Sequence, residues 1–467
     1  MNKIFINKNI KKIFITSILI LLSLVVTSCV KNEVITASGK TKITFCNLFA
    51  MTGRDYFSDI IETFEETYPM FEVEEVRMAT FEYLEEAVIS KKTEELPTIV
   101  QATPKNISKF LEKDLVVNLN QYISNGYITS EYIDYLDDDN WLCSDIIGLT
   151  NDDILDIIPS FYEEGAIYGD SQMYSLPFLK TTEVLYYNKD FMIEHSENLS
   201  KFNISTNGDW NNPSWEDVLG VAEYYKTFTE NVSAKKVGFM TDDLTKLFIN
   251  LTHQSGSKFS EYNGKNIVYS FNNDLSKDAI KWLARNYQEN LFGLVSDFDV
   301  DYASDVFKNG HCLMVVDKAA SSSYYANNKF NVGVTSYPQK DENHQSITID
   351  GSNLCLLNKN NDLETLGGWL FLKWLTNYEN NLYLSMNTNY LPIRRSVFES
   401  SLFQEELNKT KLLFDVKKIG FEQNQIFKTV IPYTVDVNQT INQLVIDIID
   451  KKSVDEAYAL AIDKIQK

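Results

Sequence analysis

Between residues 42 and 102 the hydrophobic period of this chain switches repeatedly between two and about 3.6. Lys42-Ile43-Thr44-Phe45-Cys46 alternates as a half-buried strand does. Residues 55–67 place Tyr56, Phe57, Ile60, Ile61 and Phe64 at helical spacing, and Tyr68-Pro69 stops the run. Residues 71–76 alternate again, 81–91 are amphipathic, and 97–102 form a short apolar strand. Strands separated by helices need crossover connections. They therefore lie parallel, with the helices covering the sheet faces. The pattern recurs with strands at 184–187, 236–240 and 312–316. Helices are expected at 214–226, 243–253, 274–287, 363–375 and 444–465. Ser214 followed by Asp217 marks an approximate capping box. The fold class is α/β, with neither repeats nor low-complexity segments.

The chain opens with Lys3, Lys8, Lys11 and Lys12, followed by an apolar run at 13–26. That run is short of the ~20 residues a membrane span needs and reads as a secretory signal. It ends in Val26-Thr27-Ser28-Cys29, which resembles the bacterial lipoprotein signal. The resemblance implies that Cys29 becomes a lipid-bearing N-terminus. Residues 1–28 are then a signal peptide and 29–40 the lipidated cysteine and tether, and the protein is held at the cell membrane on its extracytoplasmic side. The competing reading is an ordinary signal with an incidental cysteine.

A formal net charge of −22 disfavours nucleic acid and anionic lipid headgroups. Arginine is confined to Arg54, Arg77, Arg285, Arg394 and Arg395, so a cluster of guanidinium forks for a highly charged anion is absent. Cys46, Cys143, Cys312 and Cys355 are too few for a disulfide framework and read as free thiols. The histidines at 195, 253, 311 and 344 lack metal-ligand spacing, and no catalytic motif is present. Asp297-Phe298-Asp299-Val300-Asp301 starts like a calcium loop but has Tyr302 where glycine belongs and Lys308 where the closing glutamate belongs. No metal or cofactor is implied, and no enzyme. Carboxylates are plentiful, which leaves a surface glycoside hydrolase as a rival, and a scaffolding lipoprotein as another.

Several segments in order resemble the family 1 bacterial extracellular solute-binding proteins, the group that includes maltose-binding protein. They are ETFEETYPM (62–70), PTIVQ (97–101), YSLPFLKTTEVLYYNKD (174–190), PSWEDVL (213–219), VFKNGHCLMV (306–315), VGVTSYP (332–338), DGSNL (350–354), GWLFLKWL (368–375) and YLPIRRSV (390–397). Thr98 stands where the family usually has aspartate. The resemblance implies a two-lobed, type II periplasmic-binding-protein-like fold with the ligand cleft between lobes. Lobe 1 is expected to comprise 41–180 and 345–393, and lobe 2 to comprise 181–344 and 394–467, with crossings near 177–183, 340–347 and 391–395. It also implies a monomeric receptor that delivers a carbohydrate to the transmembrane subunits of an ABC permease. The alternative ligand is a glycerol-phosphate-type or other polar solute, since Thr182-Glu183-Val184 and Asn389-Tyr390-Leu391-Pro392 resemble that branch too.

In open parallel sheets ligands bind beyond the carboxyl ends of strands. That rule and the crossings select Asn47, Phe49, Gln101, Thr103, Thr182, Glu183, Asp243, Asp317, Lys318, Gly351, Ser352, Asn353, Tyr390 and Arg394 as ligand-binding candidates. Structural alternatives stand beside five of these residues. Asp243 can cap a helix, Ser352-Asn353 can shape a turn, Tyr390 can be core, and Glu183 can be a solvated charge.

Overall fold

Three short parallel strands open the fold: β1 (Thr41–Asn47), β2 (Phe71–Arg77) and β3 (Ile99–Ala102). The helix Ser58–Thr67 buries Ile60 and Phe64 against them. Phe45 of β1 meets Phe57 and Phe371 edge-on at 5.3 and 5.6 Å. A single strand of 13 residues, β4 (Leu176–Asn188), then runs through the middle of the protein. The remaining strands are β5 (Val237–Thr241), β6 (Ser260–Asn263), β7 (Asn266–Tyr269), β8 (Phe292–Gly293), β9 (Cys312–Lys318), β10 (Val332–Ser336) and β11 (Ile349–Leu356). The computed structural model describes residues 39–49, 55–124, 148–263, 266–426 and 435–465. Cys29, the signal segment and Cys143 lie outside the described residues.

The main sheet runs β2-β1-β3-β11-β4-β9-β5-β8, with β10 also on β4. Strand β4 changes partners between Thr182 and Glu183. Its first half, Leu176 to Thr182, pairs with β11, while Glu183 onward pairs with β9 and Val184 onward with β10. One strand thus serves two half-sheets. Sequence periodicity shows only residues 184–187 of it, because Pro177 and the run Lys180-Thr181-Thr182-Glu183 mask a strand. All of those residues are buried.

Two bodies of apolar packing flank that switch. Beside β1, β2, β3 and β11, Phe45, Phe64, Phe178, Leu356 and Trp369 belong to the first. Beside β5 and β9, Tyr186, Phe239, Met314, Tyr337 and Tyr458 belong to the second. Ile158, Phe161, Ile347, Leu391 and Ile393, which the sequence assigns to the first lobe, pack with the second. Ile158 N–H donates to the Ile393 carbonyl at 2.9 Å, which ties the start of the helix Pro159–Glu163 to residues 391–395. The C-terminal helix read at 444–465 is two helices, Val435–Ile449 and Val454–Ile465, separated at Lys451, whose φ of 69° breaks the first. Cys46, Cys312 and Cys355 are buried free thiols whose pKa values burial raises, so they are inert core groups. Asp297 accepts from Tyr287 Oη at 2.8 Å and pairs with Lys235 at 3.0 Å, so it is engaged by the protein rather than free for calcium. Among the described residues no helix is long and apolar enough to cross a membrane.

Candidate ligand-binding cleft

A cavity of about 280 Å³ opens where β4 changes partners. One wall comes from the loop after β3. There Thr103 caps the helix Pro104–Leu111 and, with Asn106, forms a reciprocal capping box. The cap aligns the first turn and places Lys105 on the cavity wall. Thr181, Asp350 and Gly351 also line it, at the junction of β4 with β11. The opposite wall carries Asp243 and Lys246, from the start of the helix Leu244–Gln254, and Lys318 at the end of β9. Tyr390 precedes Leu391, which bridges to Lys180 of β4, and closes one side.

Electrostatics organise this cavity around Asp350. Burial by itself would raise its pKa, but Lys246 and Lys318 outweigh burial and hold the carboxyl far below the usual range. Lys246 hydrogen-bonds Asp350 directly and lies 3.5 Å from Asp243; Lys318 lies 3.2 Å from Asp350. Lys105 stands apart. It has no ion pair within 4 Å among the described residues, and burial lowers its pKa against the opposing pull of Glu82. Gly351 has φ +99°, and a Cβ there would lie 2.0 Å from the Leu179 carbonyl oxygen, so only glycine lets β11 approach β4 this closely.

Beneath the cavity Lys180 is fully buried, paired with Glu164 and hydrogen-bonded to Asn353 Oδ1 at 3.1 Å. A second cavity, of about 420 Å³, shares Asp243 and Lys318 with the first and is lined by Glu183, Asp317, Tyr302 and Tyr324. Burial pushes Glu183 up to about 8, with Asp243, Asp317 and Asp350 adding to the effect and Lys246 opposing it. Burial and the nearby Asp242 push Asp317 up to about 6.

Of the residues selected from sequence, Thr103, Asp243, Lys318, Gly351 and Tyr390 line the first cavity. Glu183, Asp243, Asp317 and Lys318 line the second. Glu183 is 1% exposed and so is not a solvated charge. Asp243 caps its helix by accepting from Lys246 N–H at 3.0 Å and also faces the cleft, so both readings of it hold. The other six side chains and Thr182 are held elsewhere. Asn47 donates to Glu75 at 2.6 Å and accepts from Phe49 N–H, while the Phe49 ring packs on Tyr56 and Phe57. Gln101 accepts from Leu48 N–H at 3.0 Å and donates to Ser352 Oγ at 2.9 Å. Asn353 binds Lys180 and Ser175. Thr182 is buried, and its hydroxyl has no hydrogen-bond partner among the described residues. Arg394 donates to the Thr376 carbonyl at 2.7 Å and pairs with Asp156 at 3.2 Å, so it ties backbone together rather than facing the cleft. Asn47 and Gln101 sit at the ends of β1 and β3, Thr182, Ser352 and Asn353 lie inside β4 and β11, and Arg394 precedes the helix Arg395–Glu399.

Sequence reasoning missed Lys105, Lys246, Asp350, Tyr302 and Tyr324. Two of them had a readable signal. Lys246 follows Asp243 by one helical turn, and Asp350 immediately precedes Gly351.

The family described as bacterial extracellular solute-binding protein matches residues 59–410. The chain belongs to that family. Among curated proteins, this solute-binding protein is 28% identical over 252 residues to the sn-glycerol-3-phosphate-binding periplasmic protein UgpB of Shigella dysenteriae serotype 1, covering 50% of this chain and 52% of that one. The Escherichia coli K12 protein of the same name is 28% identical over 254 residues, with the same coverage. The chain thus spans about half the length of the curated relatives it matches. Among solved structures, UgpB from Mycobacterium tuberculosis in complex with glycerophosphocholine superposes with a TM-score of 0.66 at 14% identity, covering 92% of this chain and 98% of that one. The cyclic alpha-maltosyl-1,6-maltose binding protein of Arthrobacter globiformis gives 0.66 at 17% identity, covering 91% and 98%. Maltose-bound MalE3 of T. maritima gives 0.62 at 15%, with the same coverage. These likenesses establish the two-lobed periplasmic-binding-protein-like fold.

Proposed function

We propose that this solute-binding protein is a non-catalytic receptor, acylated at Cys29 and held on the extracytoplasmic face of the membrane, that delivers a carbohydrate to an ABC importer. The observation that carries the ligand class is the neutralisation of the cleft by its own charges. Lys246 and Lys318 both face Asp350, so the two lysines on that wall are already matched by the protein. A hydroxyl-rich neutral solute can exchange hydrogen bonds with such a surface without bringing a charge of its own. The ligand lies between two packing bodies joined by three crossing segments, so its contacts with both favour the closed arrangement over the open one. The closed form then docks on the permease, and the sugar leaves unchanged. Structural relatives bound to maltose or named for a maltosyl ligand support this reading.

A second reading has its own observation. Lys105 lacks an ion pair among the described residues, and the curated relatives are named for sn-glycerol 3-phosphate, so a phosphate ester is the competing solute. A thermal-shift series on the purified protein separates the two. Maltose, other oligosaccharides and polyols are expected to raise the unfolding midpoint by mass action. A shift with glycerol 3-phosphate and none with any sugar would replace the carbohydrate assignment. Appearance of hydrolysis products on long incubation would refute the non-catalytic role.

A further inference from the structure

The helix Lys411–Ile426 contributes no residue to the first cavity, yet it grips the segments that form its wall. Its Val416 and Phe421 belong to the second packing body. Between them Lys417 is fully buried and has no ion pair within 4 Å among the described residues. Its ammonium donates to the Ser385 carbonyl and, at 2.8 Å, to the Thr388 carbonyl, at the C-terminal end of the helix Tyr378–Asn387. That helix belongs to the first body through Leu384. Tyr390, on the cavity wall, lies two residues beyond Thr388, and Leu391 N–H then donates to the Lys180 carbonyl at 2.9 Å. Gly420 packs on the same segment, since a Cβ there would lie 3.0 Å from Leu391 Cδ2. Further along the helix Gln423 donates to the Glu183 carbonyl at 2.6 Å and accepts from Tyr337 N–H at 3.0 Å.

A helix C-terminus leaves carbonyls without intrahelical partners, and its dipole favours a cation there. Burying that cation without a carboxylate still costs free energy, and an apolar side chain of similar length would cost less. What the lysine adds is direction. Its two bonds fix where the helix Tyr378–Asn387 ends, and therefore the course of residues 388–391. We propose that Lys417 is a positioning residue for ligand binding, which holds Tyr390 on the cavity wall from outside the cavity. Tyr390 touches the solute, whereas Lys417 acts through the Ser385 and Thr388 carbonyls. The lysine belongs to one packing body and those carbonyls to the other, so the same contact fixes the two bodies against each other beside the cleft. The inference rests on this cavity being the ligand site, and not on the choice between a sugar and a phosphate ester.

Two measurements on the purified protein test it, both with Lys417→Met. The first is amide hydrogen exchange without ligand. Peptides covering 388–394 should exchange at least about tenfold faster in the variant, while β1 and β5 keep their wild-type rates. Unchanged exchange at 388–394, or acceleration spread over the whole protein, overturns the inference. The second is a double-mutant cycle on affinity, with maltose as the probe, or glycerol 3-phosphate where maltose does not bind. Lys417→Met and Tyr390→Ala should each weaken binding about tenfold, and the double variant should bind within about threefold of Tyr390→Ala alone. Losses that multiply overturn the inference and leave the ligand reading standing. Binding of neither probe refutes the ligand readings, and exchange then decides whether Lys417 holds Tyr390 in place. Lys417→Gln, neutral and one atom shorter, serves in both measurements where Lys417→Met does not fold.

Discussion

Lys180 and Glu183 stand three residues apart on β4, on either side of the point where the strand changes partners, and both are buried. Their surroundings are opposite. Lys180 meets Glu164 and Asn353, so its charge is neutralised within the protein. Glu183 meets a single amide donor, Asn250, and a cavity. Burial alone therefore does not decide whether an ionisable group is charged in the fold. What distinguishes them is whether the protein supplies the partner. A completed ion pair holds the junction of β4 and β11, while the Glu183 carboxyl, lacking a cation within 4 Å among the described residues, keeps its proton up to about 8.

The comparison breaks first if Lys180→Met is harmless. Removing the cation leaves Glu164 charged and buried, and urea unfolding is expected to show a loss of about 3–5 kcal/mol. A loss below about 1 kcal/mol would mean that the pair is not a lock. Glu183→Gln should act in the opposite direction and only at high pH. The folded protein holds the Glu183 proton up to about 8, whereas the unfolded chain releases it near 4.5. The stability this residue confers is therefore complete below the lower value and lost as pH rises through the higher one. Thermal unfolding should place the variant level with wild type at pH 4 and a few kcal/mol above it at pH 9. A pH-independent difference would place Glu183 among the paired charges.

Arg394 sharpens the contrast from the packed side. Arg394→Ala removes charge-assisted bonds to Asp156 and to the Thr376 carbonyl, and should cost about 2 kcal/mol in denaturant with ligand affinity unchanged by calorimetry. A selective loss of affinity would return Arg394 to the binding surface. The smallest effect is expected at Thr103→Ala, which removes the cap of the helix carrying Lys105 and should cost about 1 kcal/mol.

The legible parts of this protein are those governed by neighbours in sequence. Ser214 and Asp217 form the capping box that their spacing announces. The strand at 312–316 makes up the first five residues of β9, and Asp243 both caps and faces the cleft. Strand β4 was only partly legible, because a polar run that looks like a loop is buried by β11 on one side and β9 on the other. Among the candidate site residues, those that failed to reach the cavity were chosen by position, after strands or at the expected crossings. Position fixes where the backbone runs, but the side chain's direction depends on what packs behind it. Asn47, Gln101 and Arg394 all turn towards hydrogen-bond partners behind the cavity.

By itself the amino-acid sequence determined an alternating α/β protein with family-like segments in order from residue 62 to residue 397. Those features arise from periodicity, caps and breakers that act over a few residues. Only the tertiary structure decided which charges are paired inside the fold and which face the cleft. Lys180 finds its partners 16 and 173 residues away, and Asp350 finds Lys246 at a separation of 104. Charge pairing is settled at a few ångströms in space, and no local pattern encodes which distant side chain will arrive there.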